Sequence, residues 1–131
     1  MKQIFLSALI FFTSSLSGYN FCGTHFVASF RNCDRDRLTS VPYLLMAFEG
    51  ATNSSFATIL DRCVYRFPND SVTAIFLLSE SHASLHTYPE HNSCFVDLFT
   101  CGDACDWKPF LMIMKAYLNP DEIEFEVIPR S

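Results

Sequence analysis

At 131 residues the chain suffices for one compact domain and is too short for two ordinary ones. Half of its residues are hydrophobic and only 18% are charged, which excludes an intrinsically disordered chain. The net charge of −5 provides no basic face for phosphates and so argues against a nucleic-acid partner, while it is compatible with a cationic small substrate.

Residues 1–22 stand apart from the rest. Lys2 precedes an apolar run, residues 4–12, and small or polar residues follow to Gly18. This is the layout of a secretory signal: a basic start, an apolar middle and a small-residue exit. The run is too short for an ordinary membrane span, and no stable membrane association is expected. An export signal, a buried extra segment and a misplaced start codon all fit the pattern. Six cysteines follow, at 22, 33, 63, 94, 101 and 105. In an exported chain they suit disulfides; otherwise most are small buried hydrophobes.

Residues 24–30 alternate, with Phe26, Ala28 and Phe30 on one side and His25, Val27 and Ser29 on the other, which predicts a strand. Polar residues 32–36 can cap a short helix. Residues 41–49 predict a helix with Pro42 near its start and Gly50 ending it. Residues 57–67 predict a strand, 68–70 a turn, and 72–78 a fully apolar strand. A further strand is predicted over 95–100 and a helix over 107–118, capped within 103–106 and broken at Asn119-Pro120. Ile123, Phe125 and Val127 alternate with glutamates, as in an edge strand. The order strand, helix, three strands, helix, strand predicts an α+β two-layer sandwich, an antiparallel sheet with helices on one face. The 14 phenylalanines suit such a core.

The segment 79–90 packs hydroxyls, two imidazoles and two carboxylates directly after an apolar strand. Such a density of titratable groups marks a site candidate, with a solvated polar loop as the plain alternative. The run Glu80-Ser81-His82-x-Ser84-x-His86-Thr87-x-Pro89-Glu90, followed by Phe99-Thr100-Cys101-Gly102-Asp103, resembles the signature of bacterial and archaeal S-adenosylmethionine decarboxylases. The resemblance spans residues 23–130, including a Gly-x-His opening of the first strand and the Cys33-Asp34 step. Residues 1–22 have no counterpart in it.

The resemblance implies a proenzyme that cuts itself between Glu80 and Ser81. The Ser81 hydroxyl attacks the Glu80 carbonyl; elimination and hydrolysis then convert Ser81 into a pyruvoyl group, the self-generated cofactor. His86 matches the processing histidine, suited to proton transfer near neutral pH. Thr73 stands where the family usually has a serine that supports processing, and its added methyl implies slower cleavage. Cys101 matches the proton donor of turnover, after the substrate amine has joined the pyruvoyl carbonyl as a Schiff base and carbon dioxide has left. Phe67 matches an adenine-stacking ring and Glu90 a carboxylate that binds the ribose hydroxyls. Tyr88 replaces a common tryptophan. The implied product is the aminopropyl donor for spermidine synthesis, made by a cytoplasmic homodimer with shared active sites.

Two consequences are testable in the structure. Ser81 and His86 are five residues apart, an offset that puts them on opposite faces of a flat strand, so a bend or bulge is expected between them. No metal is expected, because the spacings of His82, His86, His91 and Cys94 fit no zinc pattern. Arginine or ornithine decarboxylation on the same fold is the nearest alternative activity. An exported, disulfide-bonded binding protein is the alternative from another class.

Overall fold

A computed structural model describes residues 21–131; the signal-like extension lies outside them except for Phe21 and Cys22. In chain order the elements are β1 (Gly23–Arg31), α1 (Arg35–Thr39), α2 (Val41–Ser54), β2 (Ile59–Arg66), β3 (Val72–Leu78), β4 (Ser81–Tyr88), β5 (Ser93–Cys101), α3 (Trp107–Leu118) and β6 (Glu122–Arg130). A single 3-10 turn, Pro89–His91, joins β4 to β5. The strands form one sheet in the order β2-β3-β4-β5-β1-β6, with every neighbouring pair antiparallel. The helices cover one face, so the predicted α+β sandwich is the observed architecture.

Local chemistry sets the element ends. The Asp34 carboxylate accepts from the Asp36 N–H at 3.0 Å and caps α1, and Asp106 caps α3 through the Lys108 N–H at the same distance. Asn119, at φ 48°, ends α3 in the left-handed conformation that asparagine tolerates. Gly50 does not end α2, contrary to expectation. The next turn of the helix is buried at Ala51 and Thr52, and the Thr52 and Ser55 hydroxyls donate to the Phe48 and Ala51 carbonyls. A mid-helix glycine costs about 1 kcal/mol, which this packing outweighs.

Between helices and sheet lies an aromatic core. Phe48 packs in a tilted arrangement on Phe76 at 4.4 Å and meets Phe110 edge-on at 5.9 Å, while Phe26 packs against both Phe110 and Trp107. These phenylalanines are buried, and each contributes about 1.5–3 kcal/mol by leaving water.

β4 was not among the predicted strands. Ala83, Leu85 and Thr87 are buried while His82, Ser84 and His86 alternate with them toward the other face. A period of two is therefore present, masked by its polar members. Among the described residues nothing covers the sheet face away from the helices, and Tyr65, Ile75, Leu77 and Phe95 are exposed on it.

Candidate active site

The predicted site residues gather at two places on the sheet. At one end of β4, Ser79 and Glu80 form a two-residue loop between β3 and β4, because Leu78 pairs with Ser81. The Cys101 N–H donates to the Glu80 carbonyl oxygen at 2.9 Å. The Ser81 Oγ lies 3.3 Å from the Cys101 Sγ. Ser81 has φ 154°, a backbone region in which non-glycine residues are strained. A cleft of about 460 Å³ is lined by Leu77, Glu80, Ser81, Cys101 and Gly102. Gly23 pairs with Cys101 across β1 and β5, and a Cβ there would come within 2.7 Å of the Phe99 ring. Glycine is therefore what lets β1 close on this corner.

Glu80 is held by its side chain as well. Its carboxylate accepts from the Thr58 N–H at 2.9 Å, and the Ser79 N–H donates to the Thr58 carbonyl at 3.0 Å. Burial pushes the Glu80 carboxyl up, but hydrogen bonds from Thr58, Ser79 and its own N–H together hold it below the ordinary carboxylate value.

Near the other end of β4, His86 pairs directly with Thr73 on β3. The Thr73 Oγ1 and His86 Nδ1 are 2.9 Å apart. A cleft of about 360 Å³ joins them to Phe67, Tyr88 and Glu90. Phe67 is half-exposed and meets Tyr65 edge-on at 4.8 Å, so its face is not used up by the core.

Of the bend or bulge expected between Ser81 and His86, no bulge is present. β4 pairs residue by residue with β3 from Ser81 to His86 and with β5 from Ser81 to Tyr88. The departure from regularity is confined to the φ of Ser81, whose hydroxyl reaches a thiol on the open face. At the rise of an extended strand, about 3.3 Å per residue, Ser81 and His86 lie about 16 Å apart. Within one chain the two groups do not meet.

Between them lies a third cluster that the sequence reading did not assemble. The Asp97 carboxylate accepts from His25 Nε2 at 2.7 Å, from His82 Nε2 at 3.3 Å and from the Ser84 hydroxyl. Since a carboxylate only accepts, both imidazoles carry a proton on the nitrogen facing it. Arg130 Nη1 then donates to His25 Nδ1 at 3.3 Å. These two histidines and Asp97 are the described residues whose donor atoms converge enough to hold a metal. Arg130 opposes that use, because a metal on Nε2 would need a proton on the nitrogen that Arg130 faces. Cys94, weighed with the histidines for metal binding, is fully buried in the core beneath. The available signal was Asp97 itself, a charge inside an otherwise apolar strand.

This arrangement has known counterparts. The model of the S-adenosylmethionine decarboxylase family matches residues 24–131. A Thermotoga maritima S-adenosylmethionine decarboxylase proenzyme is 40% identical over 95 residues, 72% of this chain and 73% of that protein. A Bacillus cereus proenzyme of the same name is 33% identical over 109 residues, covering 83% and 84% of the two chains. The crystal structure of the adenosylmethionine decarboxylase from Aquifex aeolicus superposes with a TM-score of 0.74 at 32% identity, covering 81% of this chain and 88% of that one. With the matched region spanning the sheet from Thr24 onward, both clefts and the Asp97 cluster, the chain belongs to the S-adenosylmethionine decarboxylase family.

Proposed function

We propose that the chain cuts itself between Glu80 and Ser81 and then decarboxylates S-adenosylmethionine, forming the aminopropyl donor for spermidine synthesis. The observation that carries this is the convergence of the Glu80 carbonyl, the Ser81 hydroxyl and the Cys101 N–H and thiol on one strained peptide. The relatives reported above carry the S-adenosylmethionine name, which favours that substrate over arginine or ornithine.

In the cleavage, the Ser81 Oγ bonds to the Glu80 carbonyl carbon, the bond from that carbon to the Ser81 nitrogen breaks, and the hydroxyl proton passes to that nitrogen. The amide becomes an ester. The Cys101 N–H already points at the oxygen on which charge builds, so no reorganisation is needed there. His86 removes the Ser81 Cα proton, the Cβ–O bond breaks, and Glu80 leaves as a carboxylate. Water then releases ammonia from the remaining enamine, leaving a pyruvoyl group. The residues present fit that group: its precursor is a serine 3.3 Å from the Cys101 thiol, at what would be a new chain start.

The pyruvoyl group supplies a carbonyl that takes up the electrons left when carbon dioxide departs. The Cys101 thiol lies beside the position of that carbonyl and would return a proton to the substrate carbon. Phe67 offers a half-exposed ring for the adenine and Glu90 a carboxylate for the ribose diol.

The 16 Å gap within one chain (about five strand residues) supports a homodimer with composite sites. The sheet face that the described helices leave open carries exposed Tyr65, Ile75, Leu77 and Phe95, an apolar surface suited to a second copy. Facing sheets would set Ser81 and Cys101 of one protomer against Thr73, His86, Phe67 and Glu90 of the other. A cytoplasmic location follows from the substrate. Among the described residues no helix is long and apolar enough to cross a membrane.

Intact mass of the purified protein tests the cut. Two chains meeting at Glu80 and Ser81 are expected, the second bearing a pyruvoyl cap, with Ser81→Ala uncut. Release of labelled carbon dioxide from carboxyl-labelled S-adenosylmethionine, with arginine and ornithine beside it, tests the substrate. A single uncut wild-type chain overturns the proposal.

A further inference from the structure

We infer that the Glu80 side chain is a positioning residue for self-cleavage: its carboxylate, clamped to the Thr58 backbone, holds a turn that forces the scissile peptide into its reactive shape. This rests on the cleavage proposed above and adds a role for the residue on the departing side of the bond.

Three observations converge. First, a two-residue hairpin loop ordinarily takes a primed turn, with positive φ at its first residue, because that twist matches the flanking strands. Ser79 and Glu80 form such a loop, yet neither has positive φ. The positive φ falls one residue later, at Ser81, the nucleophile. The mismatch between turn and strand twist is thus carried by the scissile peptide.

Second, an unprimed turn splays the strands unless something external holds it. The Thr58 peptide group does this from both sides: its N–H donates to Glu80 Oε2 at 2.9 Å and its carbonyl accepts from the Ser79 N–H at 3.0 Å. Thr58 immediately precedes β2, whose pairing with β3 shifts register between Ile59 and Asp61. Beyond that irregularity Ile59 still pairs with Leu78, which sets Thr58 directly beside the loop.

Third, the clamp and the carbonyl contact act on the same residue. Glu80 is fixed through its side chain by Thr58 and through its carbonyl by the Cys101 N–H at 2.9 Å, with the Ser81 hydroxyl tethered 3.3 Å from the Cys101 thiol. The peptide cannot relax about either neighbour without breaking one of these bonds. Small losses of alignment in an attack at close range carry large rate penalties.

The test separates reach from charge. Glu80→Gln keeps the length and an acceptor oxygen; Glu80→Asp keeps the charge but falls one methylene short of Thr58; Glu80→Ala removes both. Freshly purified chains are followed by intact mass for the rate of cleavage. Glu80→Gln is expected within about fivefold of wild type, and Glu80→Asp and Glu80→Ala about 10–100-fold slower, the loss of one charge-assisted hydrogen bond. The same three changes in a Ser81→Ala background, which cannot cleave, are followed by urea unfolding. Midpoints close to that of Ser81→Ala alone show that the slow variants are folded and that the loss is one of alignment. Glu80→Ala or Glu80→Asp cleaving at the wild-type rate overturns the inference, as does a Glu80→Gln variant as slow as Glu80→Ala. Cleavage of the wild type at Glu80 and Ser81 in the same series keeps the outcome independent of the broader proposal.

Discussion

Replacing Thr73 by valine removes one hydroxyl and little else. Valine has the same shape and is at least as good a strand former, so β3 keeps its packing and its pairing. What is lost is the 2.9 Å contact between Thr73 Oγ1 and His86 Nδ1, which fixes the imidazole in the cleft. Both side chains are half-buried, so water replaces part of the bond. A net loss of about 1–2 kcal/mol in the elimination step is then expected, which slows cleavage by roughly 5–30-fold. The assay is a time course of intact mass on chain purified cold before cleavage is complete. Thr73→Ser serves as the second arm: it keeps the hydroxyl, drops the methyl and should cleave at or above the wild-type rate. A Thr73→Val chain that cleaves within twofold of wild type would refute the claim that this contact orients the processing histidine.

Cys101→Ala removes the thiol but keeps the N–H that holds the Glu80 carbonyl, so cleavage should persist while labelled carbon dioxide release falls by about 10²-fold or more. Asp97→Ala strips the shared acceptor from His25, His82 and Ser84 and should cost about 2–4 kcal/mol in urea unfolding; an unchanged midpoint would deny the cluster a structural role. Burial pushes the Cys33 thiol up to about 11 and the Cys94 thiol well above its ordinary value. Between the ordinary value of 9.0 and that of the folded state the unfolded chain binds fewer protons, so stability is full below pH 9 and falls as the pH rises through 11, by about 2–3 kcal/mol for Cys33. Urea midpoints measured at pH 8 and pH 10.5 should show most of this loss and should show less of it in Cys33→Ala; equal losses in both would refute the assignment.

The strands with clean alternation or uniform apolar character were legible in the sequence, as were the capped ends of α1 and α3. Two features misled. Gly50 carries a stop signal in isolation, but the buried turn at Ala51 and Thr52 continues the helix through it. β4 hides its alternation because hydroxyls and imidazoles occupy its outer face and Thr87 its inner one. Treating Ser81 and His86 as neighbours required a bulge, whereas the unbroken ladder keeps them far apart. A motif's spacing does not say which chain supplies each residue, so the distance between Ser81 and His86 had to come from the ladder. The anchoring of Glu80 by Thr58 was equally out of reach, because it joins residues 22 apart through a backbone N–H that no side-chain pattern reveals.

Coexpression of Ser81→Ala with His86→Ala tests the composite site most directly. Each variant alone lacks one half of every site and should stay uncut. In a mixed dimer the His86→Ala chain supplies Ser81 and its partner supplies an intact histidine, so one site is whole. With random pairing about half of the His86→Ala chains should appear cut between Glu80 and Ser81, and no Ser81→Ala chain should be cut. Both chains remaining whole, with mixed dimers demonstrably present, would contradict the account.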